Sequence, residues 1–372
     1  YRQTLFLSAG VRNDYASSLG ALSSGIFYPQ ASFAVRLDKM NMFPAEVNLF
    51  KIRGGYGESG KLPSARQSTM FWKVGSGPGT SFTGSTGLQL FLESPAGNPA
   101  IAPEHIQEFE LGADVEINDR FGAEITGFYQ FSRDAILEAL PPVSLGFSRA
   151  AENSGRLRGW GAEAQIYGLL IDSPNLTLHC NLNASYADNV VDSLGRKELY
   201  QSESSFFVGP GNIGPTNYLH VGYRRGLFMD RPVVAPRFRA DGYYDWDRGP
   251  VQDSVLRPFG SSVPLVIASF SWTLTLFQDI AVYGLFDAGA GRYIFNGTRQ
   301  QAAATASNAA FNALATRLGL AAGQPGDIGL GISPTPDAPV LSPNTPAYKD
   351  AANEFMKMDT RYGTVSNYLE RG

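Results

Sequence analysis

The sequence predicts an all-β protein: a partial transmembrane antiparallel β-barrel of about nine strands, with short turns at one end and long loops at the other. Three observations carry this. Residues 105–133 alternate strictly between apolar and polar, the composition is poor in charge, and short and long connections follow each other in turn. In the 105–133 stretch, Phe109, Leu111, Ala113, Val115 and Ile117 fall on one parity. Glu108, Glu110, Asp114 and Glu116 fall on the other. A strand places the two sets on opposite faces. Asn118-Asp119-Arg120 supplies a tight turn, and the alternation resumes with Phe121, Ala123, Ile125, Gly127, Tyr129 and Phe131 against Glu124, Thr126, Gln130 and Ser132. Each arm runs about 12 residues, longer than the roughly 5–6 of a soluble strand and enough for the 9–11 tilted residues of a bilayer crossing.

The other elements follow the same pattern. Leu5, Leu7, Ala9 and Val11 alternate with Ser8, Gly10 and Arg12, and a Ser/Gly-rich loop continues to Tyr28. Ala31, Phe33, Val35 and Leu37 alternate with Ser32, Arg36 and Asp38. After a turn at 41–46, Phe50, Ile52 and Tyr56 oppose Lys51 and Arg53, and residues 59–104 form a long Gly/Ser/Pro-rich loop. Beyond the central hairpin and a loop at 137–157, Trp160, Ala162, Ala164, Ile166 and Leu170 oppose Glu163, Gln165 and Tyr167. Asp172-Ser173-Pro174-Asn175 is a tight turn. Leu176, Leu178, Leu182, Ala184 and Tyr186 then oppose Thr177, His179, Asn181, Asn183 and Ser185. A long irregular stretch covers 190–262. Val266, Ala268, Phe270, Trp272, Leu274 and Leu276 alternate with Ser269, Ser271, Thr273 and Thr275, 277–279 turns, and a last strand fills 280–295. Residues 296–367 read as Ala-rich, helical around 300–320, then Pro-rich.

Short turns alternating with long loops match the short periplasmic turns and long extracellular loops of an outer-membrane barrel. An odd, unclosed strand count has no place in hydrocarbon, where each backbone group must be paired. The expectation is therefore that residues 1–372 are a fragment of a larger barrel domain, cut at both ends. Charged residues are 17% of the 372, against roughly a quarter in soluble domains. The formal net charge of −4, without a basic stripe, argues against nucleic acid as a partner. No run reaches the roughly 18 apolar residues of a membrane helix, and no signal peptide stands at Tyr1. Cys180, alone among the residues as a cysteine, excludes an intrachain disulfide and falls on the apolar parity of its strand with Leu178 and Leu182.

The candidate residues carry two readings each. Lys51, Arg53, Glu108, Glu110, Asp114, Glu116, Glu124 and Glu163 share the lumen-facing parity. They form either a polar transport path or a solvated interior with structural ion pairs. Paired carboxylates also suit a glycosidase, but their repetition along one strand follows from parity, and no catalytic residue is assigned. Phe71, Trp72, Tyr243, Tyr244 and Trp246 fall in external loops, where rings bind ligand or pack a loop core. Asp241, Asp245 and Asp247 offer oxygens for Ca²⁺ without the spacing of an EF-hand, so no metal site or cofactor is assigned. His105, His179 and His220 are too scattered for a metal centre or triad. Trp160, Tyr129 and Trp272 suit the lipid face or its girdles.

GNPAIAPEHIQEFELGADVEINDRFGAEITGFYQFSRDAIL followed by AENSGRLRGWGAEAQIYG resembles the barrel segment of SusC/RagA-like TonB-dependent outer-membrane transporters. The Asn-x-Gly and Gly-x-Glu pattern of that family stands here as Asn153, Gly155, Gly161 and Glu163. KIRGGYGESG and NYLERG are similar to further family segments, while ADGYYDWDRGPVQDSVLRPFGSSVP departs from an acidic run often found there. The resemblance implies a barrel of about 22 strands with an N-terminal plug. The strands here would then be the eleventh to the nineteenth, with the plug, the TonB-binding segment and the final strands outside the chain. It also implies import of an oligosaccharide or peptide, energised through TonB, with outer-membrane lipid around the barrel and a SusD-like lipoprotein as lid. The barrel itself would do no bond chemistry. The alternatives are a passive porin or adhesin-type barrel, and a secreted β-rich glycan hydrolase.

Overall fold

The computed structural model describes residues 4–19, 25–40, 42–76, 88–92, 96–139, 150–195, 199–201, 217–304, 309–324, 332–358 and 369–371. In chain order, β1 (Leu5–Asp14), β2 (Ile26–Arg36) and β3 (Val47–Lys61) lead to a one-turn helix α1 (Ala65–Ser68) and the hairpin β4 (Trp72–Ser76) with β5 (Leu88–Leu92). Four long strands follow: β6 (Glu104–Ile117), β7 (Phe121–Ala139), β8 (Ala150–Ser173) and β9 (Leu176–Leu194). Short strands β10 (Leu199–Gln201), β11 (Asn217–His220), β12 (Leu227–Asp230), β13 (Val233–Ala235), β14 (Val251–Gln252) and β15 (Arg257–Ser261) precede β16 (Val266–Leu276) and β17 (Ile280–Ala290). The chain continues through β18 (Tyr293–Phe295), α2 (Gly297–Ala304), α3 (Ala309–Arg317), α4 (Pro346–Met356) and β19 (Leu369–Arg371).

Two compact units result. The first holds one nine-stranded antiparallel sheet in the order β1-β2-β3-β6-β7-β8-β9-β16-β17, so every expected strand is present and pairs with its expected neighbour. β1 and β17 are its edges. The tight turns explain the registers. Asn118 and Asp119 have φ of 54° and 53°, and Phe277 and Gln278 have 52° and 67°, the left-handed pairs of a two-residue hairpin turn that follows strand twist. In the β2–β3 turn, Asp38 pairs with Arg36 at 2.6 Å and accepts the Phe50 N–H at 3.2 Å. The hydrogen bond from the Arg36 guanidinium, above all, holds the Asp38 carboxyl below the usual carboxylate range.

The apolar face carries a registered aromatic row: Tyr56 opposes Phe109, Phe109 opposes Tyr129, and Tyr129 opposes Trp160. Below it Leu111 and Ile125 are 62% and 56% exposed, as side chains facing hydrocarbon must be. From Phe121 to Tyr129 is about nine residues, the span of one tilted bilayer crossing. Bulky rings lie over glycines: Phe128 over Gly161, Tyr167 over Gly122, Trp272 over Gly284. A Cβ at Gly161 would overlap both the Phe128 ring and the Tyr186 carbonyl.

Strand ends depart from the sequence expectation. β7, β8 and β9 reach 19, 24 and 19 residues, well past the periodic stretches. Bulges between Ser132 and Ala135 and between Arg156 and Leu157 explain it, since an extra residue flips parity while pairing continues. The expected Pro141-Pro142 loop lies outside the described residues.

The stretch expected to be irregular at 190–262 is folded, and the helical reading around 300–320 is met by α2 and α3. The described residues within 199–201, 217–220, 224–264, 290–304, 309–324, 332–358 and 369–371 form the second unit, with its own sheet β10-β11-β12-β15 and the pairs β13-β14 and β18-β19. Its core joins Tyr244, Phe311, Leu318, Leu320, Tyr348 and Phe355. Helix α4 starts where Thr345 caps the Tyr348 N–H at 3.2 Å and Pro346 takes the first turn. The buried Tyr348 hydroxyl accepts from the Tyr244 N–H at 2.9 Å and donates to the Leu318 carbonyl at 3.1 Å. Burial, foremost, pushes this phenol from 10.0 up to about 12.

A folded-state pKa above the unfolded one gives stability that is full below pH 10 and is lost as the pH climbs through about 12. The second unit should therefore lose thermal stability between pH 10 and about 12, and Tyr348→Phe should flatten that loss. Unfolding followed by Trp246 fluorescence, with Trp72, Trp160 and Trp272 replaced by Phe, reads it.

Candidate functional site

The polar face of the sheet gathers the chemistry. Directly opposed residues share a face, so the registers decide which side chains meet. Lys51 opposes Asp114, Asp114 opposes Glu124, and Glu124 opposes Gln165. One step along, Arg53 opposes Gly112, Gly112 opposes Thr126, and Thr126 opposes Glu163. Glu110 opposes Gly55 and Phe128, Glu108 opposes Gly57 and Gln130, and Glu116 opposes Leu49 and Gly122. All eight charged residues singled out in the sequence therefore stand on one face.

Their environments differ. Asp114 is buried and doubly paired: Lys51 Nζ lies 2.5 Å from Oδ2, and Arg53 Nε donates to Oδ1 at 3.0 Å. Arg53 also donates from Nη2 to Thr126 Oγ1 at 2.7 Å. Gly112 makes this possible, because a Cβ there would sit 3.1 Å from the guanidinium carbon. The cluster ties β3, β6 and β7 together across the face. Glu108 accepts from Gln130 Nε2 at 3.1 Å, while Glu110, Glu124 and Glu163 are exposed. A hollow of about 310 Å³ is lined by Ser8, Gln30, Ser32, Gly57, Glu108 and Glu110. A second, of about 280 Å³, is lined by Arg53, Glu124, Thr126, Glu163, Asn183 and Ser269. The wall toward β9 and β16 is neutral: Gln165 Nε2 donates to Asn181 Oδ1 at 3.1 Å, and Asn183 Nδ2 to Ser269 Oγ at 3.4 Å.

The loop aromatics do not form one group. Phe71 and Trp72 are exposed at the start of the β4–β5 hairpin. Tyr244 is 1% exposed in the core of the second unit, and Tyr243 and Trp246 pack against that core. Of the two readings of these three rings, loop-core packing describes Tyr244, since a ring so enclosed presents no face. The nearby carboxylates are likewise engaged. Asp241 pairs with Arg239 at 3.3 Å and accepts the Tyr243 N–H, and Asp245 accepts the Arg248 N–H at 3.0 Å. Among the described residues no three His, Cys, Asp or Glu side chains converge on a point.

Sequence reasoning gave Asn153 no role beyond a motif position. Its side chain is a clamp: Oδ1 accepts the Ala102 N–H at 2.8 Å, and Nδ2 donates to the Ala102 carbonyl at 2.7 Å and the Asp134 carbonyl at 2.9 Å. Asn98 Nδ2 donates to the Ala151 carbonyl at 3.1 Å, and Ile101 between them is fully buried. Together they strap residues 96–103 along β8 beside the β7 bulge, where Asp134 has φ of 59°. Gly155 is bare because a Cβ would fall 2.8 Å from that of Ala135. The Asn-x-Gly spacing was the available signal, but its partners are about 20 and 50 residues away in sequence and meet only in the fold.

Residues 2–333 match a family profile described as TonB dependent receptor-like, beta-barrel. The chain belongs to that family. Its barrels are outer-membrane proteins. The TonB-dependent receptor P26 of Formosa agariphila is 24% identical over 319 residues, covering 80% of this chain and 31% of that protein. The RagAB peptide transporter structure superposes with a TM-score of 0.65 at 16% identity, over 82% of this chain and 33% of that one. The RagAB peptide importer in its 'open-open' state gives 0.62 at 16%, over 81% and 32%. The chain thus spans about a third of the length of these relatives.

Asp114→Asn should leave two cations facing one neutral group. Removing one partner of a buried pair costs about 3–5 kcal/mol, and exposure of Lys51 and Arg53 to about a third reduces this to about 1–3 kcal/mol. Unfolding of the full-length receptor in detergent, read by heat-modified gel mobility, should shift accordingly. Asn153→Ala removes three hydrogen bonds and should cost about 2–3 kcal/mol, with protease sensitivity appearing within residues 96–103 while the β8–β9 pairing holds.

Proposed function

We propose that this chain is part of the barrel wall of a TonB-dependent outer-membrane importer, with the apolar face toward lipid and the polar face lining the lumen. The observation that carries the reading is the nine-stranded sheet itself, with its aromatic row and exposed aliphatics on one face and the eight charged residues singled out in the sequence on the other. Lys51, Arg53 and Asp114 stiffen the inner wall, and Glu108, Glu110, Glu116, Glu124 and Glu163 keep it hydrated, so that a polar solute passes without meeting a bare hydrocarbon surface. Phe71 and Trp72, exposed in an external loop, are available to a ligand or a lid. The cargo is an oligosaccharide or a peptide; the RagAB structures are of a peptide transporter, and that favours peptide among the two. A SusD-like surface lipoprotein covers the outer opening, and TonB acts through a region outside this chain. The protein moves its cargo and breaks no bond in it.

Uptake by cells carrying the complete receptor tests this. Labelled oligosaccharide and peptide pools, supplied with and without a protonophore, should show receptor-dependent import of one pool that stops when the proton gradient is dissipated. Import that continues without the gradient would contradict the energised reading and favour a passive porin.

A further inference from the structure

The two insertions of the second unit are separated in sequence by the β16–β17 hairpin, yet they share one interior. Residues 224–264 contribute Tyr243, Tyr244 and Trp246, and residues 290–358 contribute Phe311, Leu318, Tyr348 and Phe355. The joints between them are of different kinds. The Tyr348 hydroxyl accepts a hydrogen bond from the Tyr244 N–H of one insertion and donates one to the Leu318 carbonyl of the other. Phe355 meets Tyr244 edge-on at 5.4 Å and Trp246 at 5.8 Å while stacking on Phe311 at 4.9 Å. Two glycines at positive φ make room for the opposite insertion: Gly242, at +86°, leaves space for the Asn344 amide, and Gly260, at +148°, lies under the Tyr293 ring. Tyr243 in turn covers Gly319.

The second insertion supplies most of the shared interior, and the first seats Tyr244 in it with Tyr243 and Trp246 packed alongside. Tyr244 is buried by groups about 70–110 residues further along, so opening one insertion strips the apolar contacts of its counterpart. We propose that the two insertions fold and open as one cooperative body, so that a ligand or partner that touches either one stabilises both. The coupling is reciprocal by linkage: whatever tightens residues 227–252 tightens α3 and α4, and the reverse. Local opening then comes as a single step for the pair. The inference is independent of which cargo the receptor carries, because it rests only on the shared interior.

Hydrogen exchange on the full-length receptor in nanodiscs, read by mass spectrometry, tests it. Phe355→Ala deletes a ring that touches both insertions, and a lost core ring accelerates opening by about 100-fold or more. That acceleration should appear equally in 309–317 and in the β12–β15 pairing at 227–230 and 257–261. If that variant does not fold, two milder ones decide. Tyr348→Phe, acting from α4, and Trp246→Ala, acting from the other insertion, should each raise exchange about tenfold in both segments. Acceleration confined to the insertion that carries the substitution would overturn the proposal.

Discussion

The constraint on which this structure depends is that a strand in hydrocarbon must pair its backbone on both sides while showing lipid only one parity of its side chains. The consequences run through the sheet. Each interior strand pairs with two neighbours, and the order departs from sequence only where an insertion intervenes, at β3-β6 and β9-β16. The apolar parity is filled mostly by Leu, Ile, Ala and aromatic residues, and the polar parity by charged, amide and hydroxyl side chains together with the rings of Phe128 and Tyr167. A polar side chain on an inner wall still has to be satisfied, and the Asp114 cluster does this with two cations, one hydroxyl and a glycine that leaves room. Rings that lie over glycines on neighbouring strands, such as Phe128 over Gly161, fill the wall without widening it.

The wall is uneven around its polar face. Charged residues concentrate on β3, β6 and β7, while β8, β9 and β16 present mostly amides and hydroxyls that bond to each other, with Glu163 the exception. The strap at 96–103 and its Asn153 clamp fix where the long segment after β3 rejoins the sheet. Strapped strand ends and a folded second unit stand in place of the irregular loops that composition alone suggests.

Much of this was legible in the sequence. The hairpin of β6 and β7 is visible because period-two alternation is a local signal, and the turn at Asn118-Asp119 because those residue types tolerate the left-handed region. Parity placed Glu108, Asp114 and Glu163 on one face before any register was known, but it could not reveal that Asp114 is doubly paired while Glu163 is open. Bulges hid the upper thirds of β7 and β8, since they break alternation without breaking pairing. The second unit was invisible for a different reason. Its core is assembled from Tyr244, Phe311 and Phe355, too far apart for any window of sequence, and its longest helix has 11 residues. The same distance left Tyr244 with two readings in the sequence, a ligand-binding ring or loop-core packing.

Which face of the sheet meets lipid decides how the whole wall is oriented. Spin labels placed singly at residues 107–117 of the full-length receptor in liposomes, with accessibility to oxygen and to a polar nickel complex measured at each, test it most directly. A period of two is expected: labels at Phe109, Leu111, Ala113 and Val115 relax with oxygen, and labels at Glu108, Glu110 and Glu116 with nickel. Accessibility without that period, or nickel contact at Leu111 together with oxygen contact at Glu110, would contradict it.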